Sequence, residues 1–355
     1  MIKFLTLLLV VSVLLSCRKN AEITPISATE NSNNAFNFIT PKNFPQAAFN
    51  FSENPLTKDK FQLGRHLFYD PILSLDSTIS CATCHAQTHG FADHNIPFSV
   101  GIKGLIGTRN APPVFNLAWT PNTFMWDGGV DHLEKFPVFP ITNPLEMGEQ
   151  MNHVLIKLQR STFYKKLFFN AYKDDVINEK RLFQSLAIYM SLIVSANSKY
   201  DDVKNGKSTF TENENQGYEL FKTHCINCHT EPLFTNFSYK NNGLDLIPAD
   251  KGRENITKNP EDRGKFKVPT LRNIDFTYPY MHDGRFSTLS EVLDHYISGI
   301  KNSSTTDKQL IGGMNITPLQ KKYLLSFLRT LNDFKLLGDT LVSEPSYKSL
   351  TENHK

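Results

Sequence analysis

The sequence lacks several features that would point to common classes of protein. Its most apolar run, Phe4 to Leu15, falls short of the roughly 20 residues that a bilayer-spanning helix needs. It also lacks a charge excess: 38 Lys and Arg against 35 Asp and Glu leave 38 − 35 = +3. That small a charge provides no field for gripping a nucleic acid, so no such partner is expected. Nowhere does apolar and polar residue alternation persist as it would in a strand-rich sandwich or barrel. Tryptophan is scarce, with two residues, although aromatics make up 12% of the chain and include 27 Phe. Such a composition suits a ring-lined interior around something flat and apolar. With 40% hydrophobic and 21% charged residues over 355 positions, the chain is long enough for a sizeable core and two domains of ordinary size.

The first residues are unlike the rest. Met1, Ile2 and Lys3 precede the apolar run, which ends in Leu14-Leu15-Ser16-Cys17. A short apolar core behind a basic residue reads as an export signal, here residues 1–16, and is excluded from the fold. The ending looks like a bacterial lipobox, in which Cys17 is lipidated and becomes the first mature residue. An unpaired exported thiol favours this reading over a plain signal with an incidental cysteine. Residues 17–40 are rich in Asn, Ser, Thr and Ala and read as a flexible tether. The expected location is therefore periplasmic, with the membrane engaged only through a lipid on Cys17.

Cysteine is also sparse, and its placement is informative. After Cys17 the remaining four fall into Cys81-Ala82-Thr83-Cys84-His85 and Cys225-Ile226-Asn227-Cys228-His229. In a CxxCH motif each cysteine adds to one vinyl group of a haem, and the adjacent histidine ligates the iron. Disulfides or a four-sulfur zinc site compete for the sulfurs, but neither explains a histidine after both pairs. Two covalently bound c-type haems are expected, with Cys81, Cys84 and His85 holding one and Cys225, Cys228 and His229 the other. The motifs lie 225 − 81 = 144 residues apart, which suits two tandem modules.

The expected fold is mainly α: two tandem cytochrome c-like haem domains with long loops. Residues 41–200 form an N-terminal haem domain, 201–340 a C-terminal haem domain and 341–355 a tail. Thr211 with Glu214 predicts a capping box for a helix leading to Cys225. Thr317-Pro318 opens a closing helix through Leu324, Phe327 and Leu331. Val154 to Tyr172 and Arg181 to Ser195 are apolar at mostly helical spacing, whereas Pro248 to Pro269 reads as loop.

These residues resemble the bacterial di-haem cytochrome c peroxidases and their MauG relatives over about residues 55 to 335. The landmarks run in the family's order: Leu63-Gly64-Arg65-His66-Leu67-Phe68-Tyr69-Asp70-Pro71, Arg109-Asn110-Ala111-Pro112, Trp126-Asp127-Gly128 and Glu146-Met147. Phe266-Lys267-Val268-Pro269-Thr270-Leu271-Arg272-Asn273 and Pro279-Tyr280-Met281-His282-Asp283-Gly284 follow the second haem motif. The resemblance implies a peroxidatic N-terminal haem, an electron-transfer C-terminal haem and one calcium ion between them. The calcium would be held by the Asn110 side chain and the carbonyls of Thr277 and Pro279, with water. Trp126 would sit between the haems as an electron relay, and Glu146 would be the distal proton shuttle.

The sequence departs from the family pattern at three places. Ten residues after Trp126 the usual glutamine is Phe136, which makes the pocket more apolar and would raise the pKa of Glu146 by desolvation. Where many relatives place a histidine that caps the first iron, this chain has Val100-Gly101-Ile102-Lys103-Gly104, and Ile102 cannot ligate. The first haem is then expected to be five-coordinate without reductive activation, with His89 and His94 as substitutes weighed against surface histidines. The usual ligand methionine of the second haem lies fourteen residues after His282, a position occupied here by Tyr296, as in the MauG branch. Tyr296 is preferred to Met281, with His295 a further alternative. The leading functional reading is reduction of hydrogen peroxide with electrons from a small periplasmic cytochrome c or cupredoxin. A MauG-like oxidase that modifies a partner protein and a non-enzymatic electron carrier are the alternatives, and a homodimer stays open.

Overall fold

The computed structural model describes residues 36–93, 95–121 and 123–346. The export signal, Cys17, His94 and residues 347–355 lie outside them. Twelve α-helices are described, α1 to α12: Lys58–Tyr69, Cys81–Cys84, Val138–Thr142, Met151–Arg160, Thr162–Tyr172, Glu179–Ser191, Lys199–Lys204, Glu212–His224, Glu254–Thr257, Leu289–Asp294, Pro318–Arg329 and Phe334–Leu337. The one described sheet is an antiparallel pair, β1 (Tyr239–Lys240) and β2 (Phe266–Lys267), with Tyr239 opposite Lys267. The fold is thus mainly helical, with long irregular segments between the helices.

Two buried clusters organise the chain. Phe61, Leu67, Phe68, Leu186 and Tyr189 belong to the N-terminal one, and Phe221, Phe234, Leu324 and Phe327 to the C-terminal one. Full burial of each such side chain contributes roughly 1.5–3 kcal/mol. The same crossing builds both halves. In the first, α1 lies on α6 with Gly64 at the contact, where a Cβ would stand 1.9 Å from the Ser185 carbonyl oxygen. In the second, α8 lies on α11 with Gly217 at the contact, where a Cβ would stand 2.0 Å from the Tyr323 carbonyl oxygen. Any side chain larger than hydrogen would force the helices apart.

Local chemistry sets the helix ends. Thr211 and Glu214 form the capping box of α8: Thr211 N–H donates to Glu214 Oε2 at 2.7 Å and Glu214 N–H to Thr211 Oγ1 at 3.4 Å. Thr317 caps α11 in the same way through Gln320, with Pro318 in the first turn. The stretch Val154–Tyr172 is two helices and not one. Ser161 ends α4 and caps α5, accepting the Tyr164 N–H at 3.3 Å, because a serine hydroxyl competes for backbone donors.

The C-terminal segment returns to the N-terminal half. Leu336 and Val342 are buried in its core, and the Val342 carbonyl accepts the Tyr69 and Tyr189 hydroxyls at 2.9 and 2.6 Å. Arg272 of the C-terminal half is fully buried and paired within that half, in bidentate fashion with Asp201 at 2.8 and 2.8 Å and with the Pro232 carbonyl at 2.8 Å, while its guanidinium lies 4.9 Å from the Phe44 ring of the N-terminal half. Burial works against the Asp201 charge, but this guanidinium holds its carboxyl below the ordinary range. Arg109 spans the other side of the junction, donating to Asp127 at 2.6 Å and to Asp250 at 2.6 and 3.0 Å.

Candidate functional site

The two CxxCH motifs are built alike. Ser80 caps α2, the single turn that carries Cys81 and Cys84, and His85 follows with its N–H on the Cys81 carbonyl at 3.0 Å. The second motif leaves α8, and the His229 N–H meets the Cys225 carbonyl at 2.9 Å. Each histidine is then locked from behind. His85 Nδ1 lies 3.1 Å from the Phe91 carbonyl oxygen; His229 Nδ1 lies 3.1 Å from those of Phe234 and Pro269. Phe91 and Phe234 both adopt left-handed backbone, at φ 57° and 54°, which turns those carbonyls inward. With Nδ1–H donated to a carbonyl, Nε2 keeps its lone pair for iron. Burial lowers the basicity of both rings, His229 to about 4.

The competing uses of the sulfurs do not fit this arrangement. None of the four is in a disulfide, and Cys81 packs on the N-terminal core whereas Cys225 packs on the C-terminal one. One zinc ion cannot reach both pairs. Burial pushes the Cys81 and Cys225 thiols up to about 12.

A cavity of about 340 Å³ opens beside the second motif. Cys225, Cys228 and His229 line it, with Val268, Leu289 and Leu324 among its apolar walls. An apolar chamber of this size with one neutral imidazole and two thiols suits a covalently held haem. Tyr296 and Met281 also line it, and each sits on distorted backbone. Tyr296 lies in a π-helical turn, His295–Gly299, that continues α10; Met281 is left-handed at φ 75°. His295 is turned elsewhere, with Nε2 on the Asn242 carbonyl oxygen at 2.9 Å. Met314, which sequence reasoning missed, is a further thioether in the wall, its N–H on the Tyr296 carbonyl at 2.8 Å. Its only sequence signal is the preceding Gly312-Gly313 turn.

Around the first motif, Glu146 and Ile102 are neighbours. The Ile102 N–H donates to the Glu146 carbonyl at 2.8 Å, and the buried Ile102 side chain packs over Gly148. Burial raises the Glu146 pKa, opposed by Asn143, whose Nδ2 donates to Oε1 at 2.7 Å. The carboxylate is near enough to Cys81 and Cys84 to push both thiols up, in addition to the larger effect of burial. Phe136 lines a separate apolar cavity of about 80 Å³ with Phe124 and Met125. The Thr88 hydroxyl lies 3.1 Å from His89 Nδ1.

Trp126 lines both cavities, and its indole N–H donates to the Asn110 carbonyl at 2.8 Å. Asn110, Thr277 and Pro279 share the wall of the larger cavity. The Asn110 amide N–H₂ group is committed to the Ile96 and Pro97 carbonyls at 3.3 and 3.2 Å, which leaves its oxygen for a cation. These three are neutral oxygen donors; among the described residues no group of three or more His, Cys, Asp or Glu side chains is placed to hold a metal.

Comparison with known proteins agrees with this geometry. Residues 58–209 match the model of the di-haem cytochrome c peroxidase family. The chain is 34% identical over 295 residues to the methylamine utilization protein MauG of Methylorubrum extorquens, covering 81% of this chain and 82% of that protein. It is 36% identical over 246 residues to the cytochrome c551 peroxidase of Nitrosomonas europaea, covering 68% and 73%. A crystal structure of a MauG-like protein associated with microbial copper homeostasis superposes with a TM-score of 0.80 at 30% identity, covering 88% of this chain and 99% of the other. The paired haem-binding motifs, the shared crossing of their helices and these relatives together place the chain in the di-haem cytochrome c peroxidase family.

Proposed function

We propose that this protein reduces hydrogen peroxide to water at the haem attached to Cys81 and Cys84, and that it is ready to do so in its oxidised state. The observation that carries the reading is the pairing of half-buried Glu146 with buried Ile102 beside the first motif. When bound by Cys81, Cys84 and His85, the haem would supply a redox-active iron for peroxide reduction. Glu146 would take the proton from one peroxide oxygen and return it to the other, which leaves as water. Burial raises the pKa of this carboxyl, so it holds the transferred proton more readily than an exposed one. Ile102 offers no donor atom, so the face beside Glu146 stays open to peroxide.

The two electrons would be drawn one at a time from a small periplasmic cytochrome c or cupredoxin; Cys225, Cys228 and His229 would hold the haem that receives them, with Trp126 in the same cavity wall as the relay. Asn110, Thr277 and Pro279 would hold a calcium ion that ties the two halves together. The chain is exported and tethered through Cys17; no described helix is long and apolar enough to cross a membrane.

A second reading is a MauG-like oxidase acting on a partner protein, favoured by Tyr296 on its π-helical turn and by the absence of a histidine at Ile102. Peroxide turnover with a reduced cytochrome c or cupredoxin as sole donor separates the two. Sustained turnover supports the peroxidase; peroxide consumption that stalls without a protein substrate supports the oxidase.

A further inference from the structure

Lys157 joins two segments that meet beside the first haem motif. From α4 its ammonium lies 2.6 Å from Glu149 Oε2 and donates to the Ile72 and Ser74 carbonyls at 3.2 and 2.5 Å. Three acceptors thus meet its three N–H donors. Glu149 stands three residues after Glu146, and Ser74 stands seven before Cys81. Glu149 is 3% exposed, and its other oxygen accepts the Gln150 N–H at 2.9 Å and faces His153 Nδ1 at 3.4 Å. Charge-assisted bonds of this kind are roughly twice as strong as neutral ones.

The chain around Glu146 is bonded into one compact turn. The Glu146 and Gly148 N–H groups both donate to the Asn143 carbonyl, at 3.0 and 2.9 Å, and the Glu149 N–H donates to the Ile141 carbonyl at 2.8 Å. Ile102 fits against the same turn. A Cβ on Gly101 would stand 2.2 Å from the Leu145 carbonyl oxygen, and one on Gly148, left-handed at φ 58°, would stand 2.4 Å from Ile102 Cδ1. Lys157 fastens this turn to the segment that leads into Cys81, together with the Leu75 N–H on the Met147 carbonyl at 2.9 Å.

We propose that Lys157, through its ion pair with Glu149, is the positioning residue that sets the place of Glu146 relative to the Cys81–His85 motif for peroxide reduction. The proposal rests on the reading of Glu146 as the proton shuttle, and it assigns the geometry of that shuttle to a pair outside the reacting groups. A shuttle has to reach both peroxide oxygens, so a displacement of about 1 Å costs on the order of a hundredfold in rate.

The test uses the purified two-haem protein. Lys157→Met removes all three bonds but leaves Glu149 buried without its partner. Lys157→Met combined with Glu149→Leu removes both charges, so one variant remains if the other fails to fold. Both are expected to lower kcat for peroxide by about tenfold to a hundredfold, with KM and haem content little changed. Both should also slow cyanide binding to the oxidised protein, because hydrogen cyanide gives up a proton to a distal base as it binds. In a Glu146→Gln background the same changes should lower kcat no further, whereas a general loosening of the fold would still lower it. Normal kcat and cyanide binding in the combined variant overturn the positioning role and leave the shuttle standing. An equal fall in kcat with and without Glu146 makes Lys157 a structural residue and also overturns it. Near-normal turnover in Glu146→Gln refutes the shuttle, and the proposal with it.

Discussion

The hydrogen bond between Asn143 and Glu146 provides a quantitative test of the proton shuttle. Asn143 Nδ2 donates to the Glu146 carboxylate at 2.7 Å, while its Oδ1 accepts the Leu145 N–H at 3.0 Å. Asn143→Asp preserves the second bond and replaces the donor of the first with an acceptor. A hydrogen bond to a charged group is worth about 1.5–3 kcal/mol, and one pKa unit is about 1.4 kcal/mol. Losing that bond raises the Glu146 pKa, already raised by burial, by about one to two units further. Because the ionised form accepts the first proton, the acid limb of kcat/KM for peroxide should move up in pH by that amount, with the plateau recovered at higher pH. Glu146→Gln should lose the limb together with about 10²–10⁴ in kcat, or about 3–5 kcal/mol, at unchanged haem content. An unmoved limb in Asn143→Asp, or near-normal turnover in Glu146→Gln, refutes the assignment.

Three further outcomes are expected. Arg272→Leu leaves Asp201 buried without its bidentate partner and should cost about 3–5 kcal/mol in a denaturant titration; a loss under 1 kcal/mol shows that the pair does not hold the C-terminal half together. Gly217→Ala should destabilise the C-terminal haem domain and Gly64→Ala the N-terminal one, read as loss of haem at one motif only, since each Cβ meets a helix backbone at about the same distance. Cys17→Ser should release the protein from the membrane fraction or block its maturation, and a wild-type protein already free in the periplasm contradicts the lipid anchor.

What the sequence disclosed was chemistry carried by short segments. CxxCH fixes its own geometry within five residues, and the Thr211 and Thr317 caps act across one helical turn, so all of these were readable. The Ser161 break was hidden because the apolar spacing of Val154 to Tyr172 continues across it, while a hydroxyl decides the helix end. Tertiary proximity was equally hidden. Nothing near Asn242 in sequence announces that its amide meets the Met281 sulfur, since the two lie on separate loops. The carbonyls of Phe91 and Phe234 that orient the haem histidines depend on backbone turns that a phenylalanine does not advertise. The return of Val342 to the N-terminal core escaped for the same reason, because Tyr69 and Tyr189 become its partners only after α1 and α6 have packed.

An electron paramagnetic resonance spectrum of the fully oxidised protein tests the central claim most directly. With apolar Ile102 beside Glu146, the first haem should give a high-spin ferric signal that cyanide converts to low spin at once, while the second haem stays low-spin throughout. Two low-spin haems before any reduction would contradict the account, because another side chain would then cap the first iron and peroxide would have no open face until the partner haem was reduced.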